Sequence, residues 1–307
     1  MTGMYLLSLN EFRGSKYLSQ FHRMRILEKK RKIGMNAKIL DGKILASRLK
    51  ESLKAEVLKL KEAAGGIPHL VNIMVGEDPS ALAYANSQKK SAEQIGIRYE
   101  LRNVPHNIFQ KELIALIAQL NRDPNVHGIM VYKPVPAQIN FREVIRTIDV
   151  NKDLEGINPE NLGRMFLGEP SIIPCTPAAV MELVRSAKAD LRGKEVVLLG
   201  RSEIVGKPLQ ILFLKQNATV TVCHSGTSEA GRLVEHIGRA DILVAALGKP
   251  RMIKGEWIKK GAVVIDVGIN QAEGKIVGDV DFDSAAERAS FITPVPGGVG
   301  PVTVVML

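Results

Sequence analysis

Cysteine is scarce in this chain: 307 residues contain two, Cys175 and Cys223. Two cysteines exclude a disulfide framework, and a reducing compartment is the easier setting for them. Metal-ligand spacing is absent as well. The six histidines (His22, His69, His106, His127, His224 and His236) form no H-E-x-x-H or H-x-x-E-H pattern, so no metal site is expected. No run approaches the ~18 consecutive apolar residues that a membrane span needs, so no membrane partner is expected. Acids are nearly missing from residues 1–35, where eight Lys and Arg face only Glu11 and Glu28. That stretch carries +6 of the chain's net +10. The remainder is only mildly basic, which suits a binder of anionic small molecules and argues against a nucleic-acid partner.

What remains is ordinary for a soluble globular protein, with 45% apolar and 24% charged residues and enough length for two domains. The chain is organised around residues 195–208, EVVLLGRSEIVGKP. An apolar run stops at Gly200, Gly206 follows, and then come the apolar run LQILFL and a β-like run at 218–223. Strand, glycine turn, helix and strand open a dinucleotide-binding βαβ unit. Glycines let the backbone approach phosphate, and a helix N-terminus offers free N–H groups. The spacing is G-x5-G, with Ser202 where G-x-G-x-x-G has its second glycine, so the motif by itself is weak.

Upstream, periodicity predicts a strand at 38–40, a helix at 44–64, a strand at 68–75 and a helix at 80–95 closed by Gly96. A strand at 99–104, a helix at 110–121, a strand at 128–131 and a helix at 141–148 follow. Residues 153–161 and 175–177 read as loops, with a helix at 178–187. Downstream of Ser225 the expected elements are a helix at 228–237, strands at 241–246, 262–267 and 291–293, and a hairpin around Glu273-Gly274. Alternation of strands and helices predicts an α/β fold with parallel sheets. Residues 1–34 read as a basic extension. A mis-assigned start or an idle arm is favoured over an organellar presequence, and a secretory signal does not fit.

Several segments together resemble the methylenetetrahydrofolate dehydrogenase/cyclohydrolase (FolD-type) family. They are VGEDPSALAYANSQKKSAEQIGI (75–97), HGIMVYKP (127–134), KDLEGINPENLGR (152–164), PCTP (174–177), GRSEIVGKP (200–208), ATVTVCHS (218–225), GEWIKKGAVVIDVGIN (255–270), VGDVDF (277–282) and ITPVPGGVGPVT (292–303). The resemblance runs in order from about 36 to 307. It implies a cytoplasmic homodimer whose protomer has a folate-site α/β domain (35–172), a Rossmann domain for NAD(P) (173–293) and a tail (294–307) returning to the first domain. Family members normally continue for a further helix, so the tail reads as shortened. The implied reaction is oxidation of 5,10-methylenetetrahydrofolate, followed in most members by hydrolysis of the methenyl product to 10-formyltetrahydrofolate.

By that resemblance Gly200, Arg201, Ser202, Val205, His224, Ser225, Ile269 and Thr303 form the cofactor site. The stretch after the second Rossmann strand reads Cys223-His224-Ser225, with no carboxylate to hold a ribose 2′-hydroxyl, while Arg201 and Ser225 suit a 2′-phosphate. NADP is therefore expected rather than NAD. Tyr84, Val131, Glu155, Pro296, Gly297 and Gly300 are the implied substrate contacts.

Three positions depart from the family's pattern. Gln88 stands where the Y-x-x-x-K motif opened by Tyr84 has its lysine, and the neighbouring Lys89 is turned about 100° away on the helix. Tyr132 replaces the glutamine of V-Q-L-P, with Lys133 beside it. Glu155 replaces an aspartate in D-L-E-G. The cofactor half is thus intact and the proton-handling half is altered, and Tyr84, Gln88, Tyr132, Lys133 and Glu155 are the candidate catalytic residues. Monofunctional members without the lysine act as dehydrogenases only. The expectation is an NADP-dependent dehydrogenase with weak or absent cyclohydrolase activity. The alternatives are a fully bifunctional enzyme in which Lys133 supplies the ammonium, and a non-catalytic paralogue that binds folate and NADP.

Overall fold

The structure is a computed structural model that describes residues 37–307 apart from Gly65 and Ser171. The readings of residues 1–34 lie outside the described residues. Two parallel sheets dominate, as alternating elements require. The first lobe holds strands β2 (His69–Val75), β3 (Arg98–Val104) and β4 (Gly128–Val131) in the order β3-β2-β4. Helices α1 (Gly42–Ala64), α2 (Pro79–Ile95), α3 (Gln110–Arg122) and α4 (Phe141–Thr147) accompany them. Asp78 caps α2 by accepting from the Ala81 amide at 2.7 Å, and Gly96 closes it in the left-handed region at φ 87°. Alternation along β2 sends Val71 and Ile73 into a core with Leu113, Ile117 and Val144. Met74 faces the other way, toward Ala81, Ala85 and Tyr132.

The second lobe is a six-stranded parallel sheet in the order β1-β11-β8-β7-β5-β6. Its strands are β1 (Lys38–Ile39), β5 (Glu195–Leu199), β6 (Thr219–Cys223), β7 (Ile242–Ala245), β8 (Val263–Asp266) and β11 (Phe291–Ile292), with a hairpin of β9 (Asn270–Ala272) and β10 (Lys275–Val277) beside it. The apolar run of β5 is buried on both faces. Val196 and Leu198 pack with Phe213 and Leu183, whereas Val197 and Leu199 pack with Ile237 and Leu243.

Four expectations change. The strand at 38–39, assigned to the first domain, pairs with β11 in the second sheet, because Lys38 and Ile39 register against Phe291 and Ile292. The 153–161 loop runs into a helix, α5 (Pro159–Phe166), capped by Asn158 accepting from the Glu160 amide at 2.9 Å. Helix α6 (Cys175–Ser186) starts three residues early, since Pro174 occupies its N-cap position and proline inside the first turn is tolerated. The single helix expected at 228–237 is two, α8 (Ser225–Glu229) and α9 (Leu233–Arg239), broken where Gly231 takes φ 71°. Helix α7 (Gly206–Lys215) follows β5 as expected, and a short α10 (Phe282–Ala286) was not foreseen. The last segment forms α11 (Val299–Met306), which packs on α6, α1 and α2 and so ties the chain's end to both lobes.

Candidate active site

The cofactor side is built mainly from backbone. At Gly200 φ is 117°, and a Cβ there would sit 2.3 Å from the Ala246 carbonyl oxygen. A Cβ on Gly206 would sit 2.2 Å from the Gly200 oxygen. The turn therefore presses against its own helix and against the exit of β7, which only glycine permits. Ser202, in place of a further glycine, accepts from the Val205 amide at 3.2 Å and the Gly206 amide at 3.5 Å. The amides of Arg201, Ser202, Glu203 and Ile204 meet no protein acceptor among the described residues, and the Arg201 side chain is exposed beside them. Free amides with a guanidinium at a helix N-terminus fit a phosphate-bearing cofactor. At the end of β6, His224 Nδ1 accepts from the Gly226 amide at 3.2 Å, so its ring caps α8, and Ser225 is exposed next to it.

Two buried carboxylates missed by sequence reasoning shape the rim. Asp279 accepts from the amides of Leu247, Gly248 and Lys249 (2.5, 3.1 and 2.8 Å) and from Asn270 Nδ2 at 2.8 Å. Asp266 accepts from the amides of Gly268, Asp279 and Val280 at 3.0, 3.0 and 2.9 Å. Burial pushes the Asp266 carboxyl up to about 6, against those hydrogen bonds. Together they fix the loops leaving β7 and β8, including Ile269, whose side chain is 71% exposed. Their presence in VGDVDF and VVIDVG was visible in the sequence, but pairing across 13 residues was not.

On the other side, Tyr84 and Gln88 lie one turn apart on α2 and Tyr132 follows β4. Gln88 and Tyr132 are buried. The Tyr132 hydroxyl donates to Gln88 Oε1, Asn72 Nδ2 donates to Gln88 Oε1 at 2.8 Å and to Tyr132 at 2.9 Å, and the Tyr99 and Tyr132 hydroxyls are 2.8 Å apart. The Tyr84 and Tyr132 rings meet edge to face, centroids 6.2 Å apart. Burial raises the Tyr84 phenol to about 12 and pushes Tyr132 up further, so both are neutral hydroxyls at ordinary pH.

Glu155 is aimed by a scaffold that accounts for the KDLEGINPEN segment. Lys152 Nζ caps α3 through the carbonyls of Leu120, Asn121 and Asp123 at 3.1, 2.7 and 2.7 Å. Asp153 is buried and accepts from the Asn158 amide at 2.8 Å and Asn161 Nδ2 at 2.9 Å. Gly156, at φ 65°, lets the loop pass against Pro174. Burial first, then Asp153, raises the Glu155 carboxyl to about 7, and the Lys133 charge opposes this. Burial likewise pushes the Cys175 thiol up, with Glu155 adding to the effect, so the thiol is no nucleophile.

The remaining candidates are dispersed. Lys133 is exposed, and its ammonium lies 4.2 Å from the Phe141 ring centroid. With Arg142, Arg201 and Lys207 it lines an interlobe cavity of about 1120 Å³, among whose lining residues Tyr84 and Gln88 do not figure. Val131, expected as a substrate contact, has its side chain turned by strand alternation into the core with Ile73 and Ile117, opposite Tyr132, which leaves only its main chain to face a ligand. Thr303 is buried, and its hydroxyl donates to the Val299 carbonyl at 3.2 Å. Pro296 is exposed, Gly297 takes φ 110° and its carbonyl receives the Gly42 amide at 2.9 Å, and Gly300 has open space around it.

A glycine turn suited to phosphate at the carboxyl ends of parallel strands, joined to a second lobe carrying a buried polar cluster, defines a two-lobed α/β protein with a dinucleotide-binding domain. Comparison with known proteins makes the family specific. Residues 40–155 match the tetrahydrofolate dehydrogenase/cyclohydrolase catalytic domain, and residues 174–307 match the NAD(P)-binding domain of the same family. The bifunctional protein FolD of Geotalea uraniireducens is 49% identical over 272 residues, covering 88% of this chain and 96% of that protein. The crystal structure of the Campylobacter jejuni bifunctional enzyme FolD superimposes with a TM-score of 0.85 at 42% identity, covering 88% of this chain and 95% of that one. The Trypanosoma brucei methylenetetrahydrofolate dehydrogenase-cyclohydrolase, solved with NADP and an inhibitor, gives 0.83 at 39% identity, with 88% and 94% covered. The chain belongs to the tetrahydrofolate dehydrogenase/cyclohydrolase family. Among the described residues no helix is long and apolar enough to cross a membrane.

Proposed function

We propose that this protein is an NADP-dependent 5,10-methylenetetrahydrofolate dehydrogenase whose cyclohydrolase activity is weak or absent. The observation that carries this reading is Gln88: buried, neutral, and tied to Tyr132 and Asn72 at the position of the motif's lysine. A neutral amide neither gives nor takes a proton near pH 7. When bound, NADP would accept the hydride, and that chemistry belongs to the cofactor. The chain's own share is orientation. The 201–204 amides and Arg201 would hold phosphate, with Arg201 and Ser225 on the 2′-phosphate. Tyr84 and Glu155 would orient the folate. Hydride departure from a methylene flanked by nitrogen needs alignment more than acid–base help, whereas hydrolysis of the methenyl ion needs proton management.

The division into a folate domain and a cofactor domain, assembly as a homodimer and a cytoplasmic setting belong to the same reading. Full bifunctionality through Lys133 is the competing reading, and the influence of that ammonium on Glu155 favours it. Its seat over Phe141 counts against it, because a cation held on a ring face is not free to replace a buried lysine. The paired assay decides. Purified protein with methylenetetrahydrofolate and NADP should form NADPH and accumulate the methenyl product. Decay of that product's near-UV absorbance faster than in buffer sinks the claim. Cofactor and folate binding without any turnover would point instead to a non-catalytic paralogue.

A further inference from the structure

A second set of strand-end amides lies near the phosphate turn, and the protein fills it with its own anion. The loop leaving β7 points three successive amides, those of Leu247, Gly248 and Lys249, at the Asp279 carboxylate. Asp279 is held in turn. Its own amide and that of Val280 donate to Asp266, the last residue of β8, whose amide donates to Thr293 Oγ1 at 2.7 Å. The fit is close: a Cβ on Gly268 would lie 2.3 Å from the Asp279 carboxyl carbon, and one on Gly278 would lie 1.9 Å from Asp266 Oδ2. A nest of amides that could otherwise take an anion is therefore closed, whereas the amides of residues 201–204 stay open. Asn270 gives Asp279 its fourth hydrogen bond, from Nδ2 to Oδ1 at 2.8 Å. A carboxylate offers acceptors only, and the Lys249 amide donates to that same oxygen, so Asn270 must turn its nitrogen inward. Its own Oδ1 then has no partner among the described residues and is not buried. It follows Ile269, whose side chain is 71% exposed.

We infer that Asp279 is a positioning residue for the cofactor, and that Asn270, through its free amide oxygen, is the acceptor for the carboxamide N–H of the nicotinamide. The sheet order fixes which half of the cofactor is meant. A dinucleotide crosses the carboxyl ends of the strands on both sides of its phosphate turn. To one side of β5 stands β6, followed by His224 and Ser225, the side assigned above to the 2′-phosphate. To the other side stand β7 and then β8, and the loops leaving these two strands are the ones that Asp279 ties together. The carboxylate in the 247–249 nest serves the same end, because a fixed negative charge there turns away the cofactor's phosphates. Asp279 does not touch the cofactor in this scheme, since it acts through Asn270 and the two loops. The inference rests on the NADP-binding part of the function proposed above and not on the folate chemistry.

Calorimetry on the full chain with three ligands tests it. They are NADP, its acetylpyridine analogue, in which a methyl group replaces the carboxamide nitrogen and removes both N–H donors, and 2′-phospho-ADP-ribose, which lacks the nicotinamide. Asn270→Ala should weaken NADP about three- to tenfold, the effect of one neutral hydrogen bond, and leave the other two ligands unchanged. Asp279→Asn sets an N–H where the nest and Asn270 need an acceptor. It should weaken NADP at least as much and spare 2′-phospho-ADP-ribose, and the double variant should lose less than the two single losses combined. Equal weakening of NADP and the acetylpyridine analogue by Asn270→Ala overturns the proposal, and so does an unchanged affinity for NADP. Asn270→Ala decides alone if Asp279→Asn does not fold. A parent protein that prefers NAD to NADP overturns only the choice of cofactor, because the same comparison runs with NAD, its acetylpyridine analogue and ADP-ribose. A parent that binds neither dinucleotide overturns both, and a lack of methylenetetrahydrofolate turnover touches only the proposed reaction.

Discussion

The two lobes of this protein solve their binding problems with different materials. The NAD(P)-binding lobe uses main chain: Gly200 and Gly206 let backbone press on backbone, four amides meet no protein acceptor among the described residues, and buried Asp266 and Asp279 hold the loops leaving β7 and β8. The lobe that matches the family's catalytic domain uses side chains: Asn72, Gln88 and the phenols of Tyr99 and Tyr132 bond one another, with Asn72 Oδ1 alone lacking a partner among the described residues, and Glu155 carries a raised carboxyl. A main-chain site tolerates change at its exposed side chains but not at its glycines. A side-chain site changes its chemistry with each substitution while its backbone stays the same. On the proposed reading, that difference lets one lobe keep a glycine turn while Gln88 in the other changes the chemistry.

The sharpest way to break this contrast is at Gly200. Gly200→Val places a Cβ into the Ala246 carbonyl at a positive φ. It should abolish measurable NADP binding by calorimetry and cost at least ~2–3 kcal/mol in denaturant unfolding. Second in size, Gln88→Lys should raise methenyl hydrolysis by about 100-fold over the parent, the lower end of general acid–base effects, and leave NADP binding alone. No gain would place the loss of proton handling elsewhere in the lobe. Third, Arg201→Ala should raise KM for NADP about tenfold with little change for NAD, because only the 2′-phosphate loses a charge-assisted partner. Equal weakening of both cofactors would return Arg201 to a surface role.

The smallest effect concerns pH. The Glu155 carboxyl is raised to about 7 and that of Asp266 to about 6. A raised acid contributes its stability below the ordinary carboxylate range and loses it as pH climbs through the folded value. Stability should therefore fall between about pH 4 and 7 from these two groups and level off above. Glu155→Gln should remove its part, so the melting-temperature gap between variant and parent should grow in the variant's favour across that window. After allowance for residual solvent contact the difference is on the order of 1–2 kcal/mol. A pH-independent gap would mean that Glu155 titrates as a solvated acid.

Much of the fold was legible because local rules agreed. Residues 195–199 are apolar throughout and end at glycine, and a strand buried on both faces followed by a helix is what that pattern encodes. Gly96 closed its helix as expected. Misreadings fell where the deciding partner is distant. A two-residue strand at 38–39 has no periodicity, and only its pairing with residues 291–292 assigns it to a sheet. Val131, a substrate contact by the resemblance alone, has its side chain in the core with Ile73 and Ile117.

For the proposed site, the sequence supplied the candidates through its resemblance, Tyr84, Gln88, Tyr132, Lys133 and Glu155, and showed no carboxylate after the second Rossmann strand. Spacing fixed that Tyr84 and Gln88 share a helix face, since the helical repeat is a local property. Only the tertiary structure decided who bonds to whom. Asn72 and Tyr99 stand on two neighbouring strands, 16 and 11 residues from Gln88, and nothing local distinguishes a buried asparagine in HLVNIMV from a surface one. Packing made that asparagine part of the site, because a polar group denied water must find its partners among whatever the fold brings beside it.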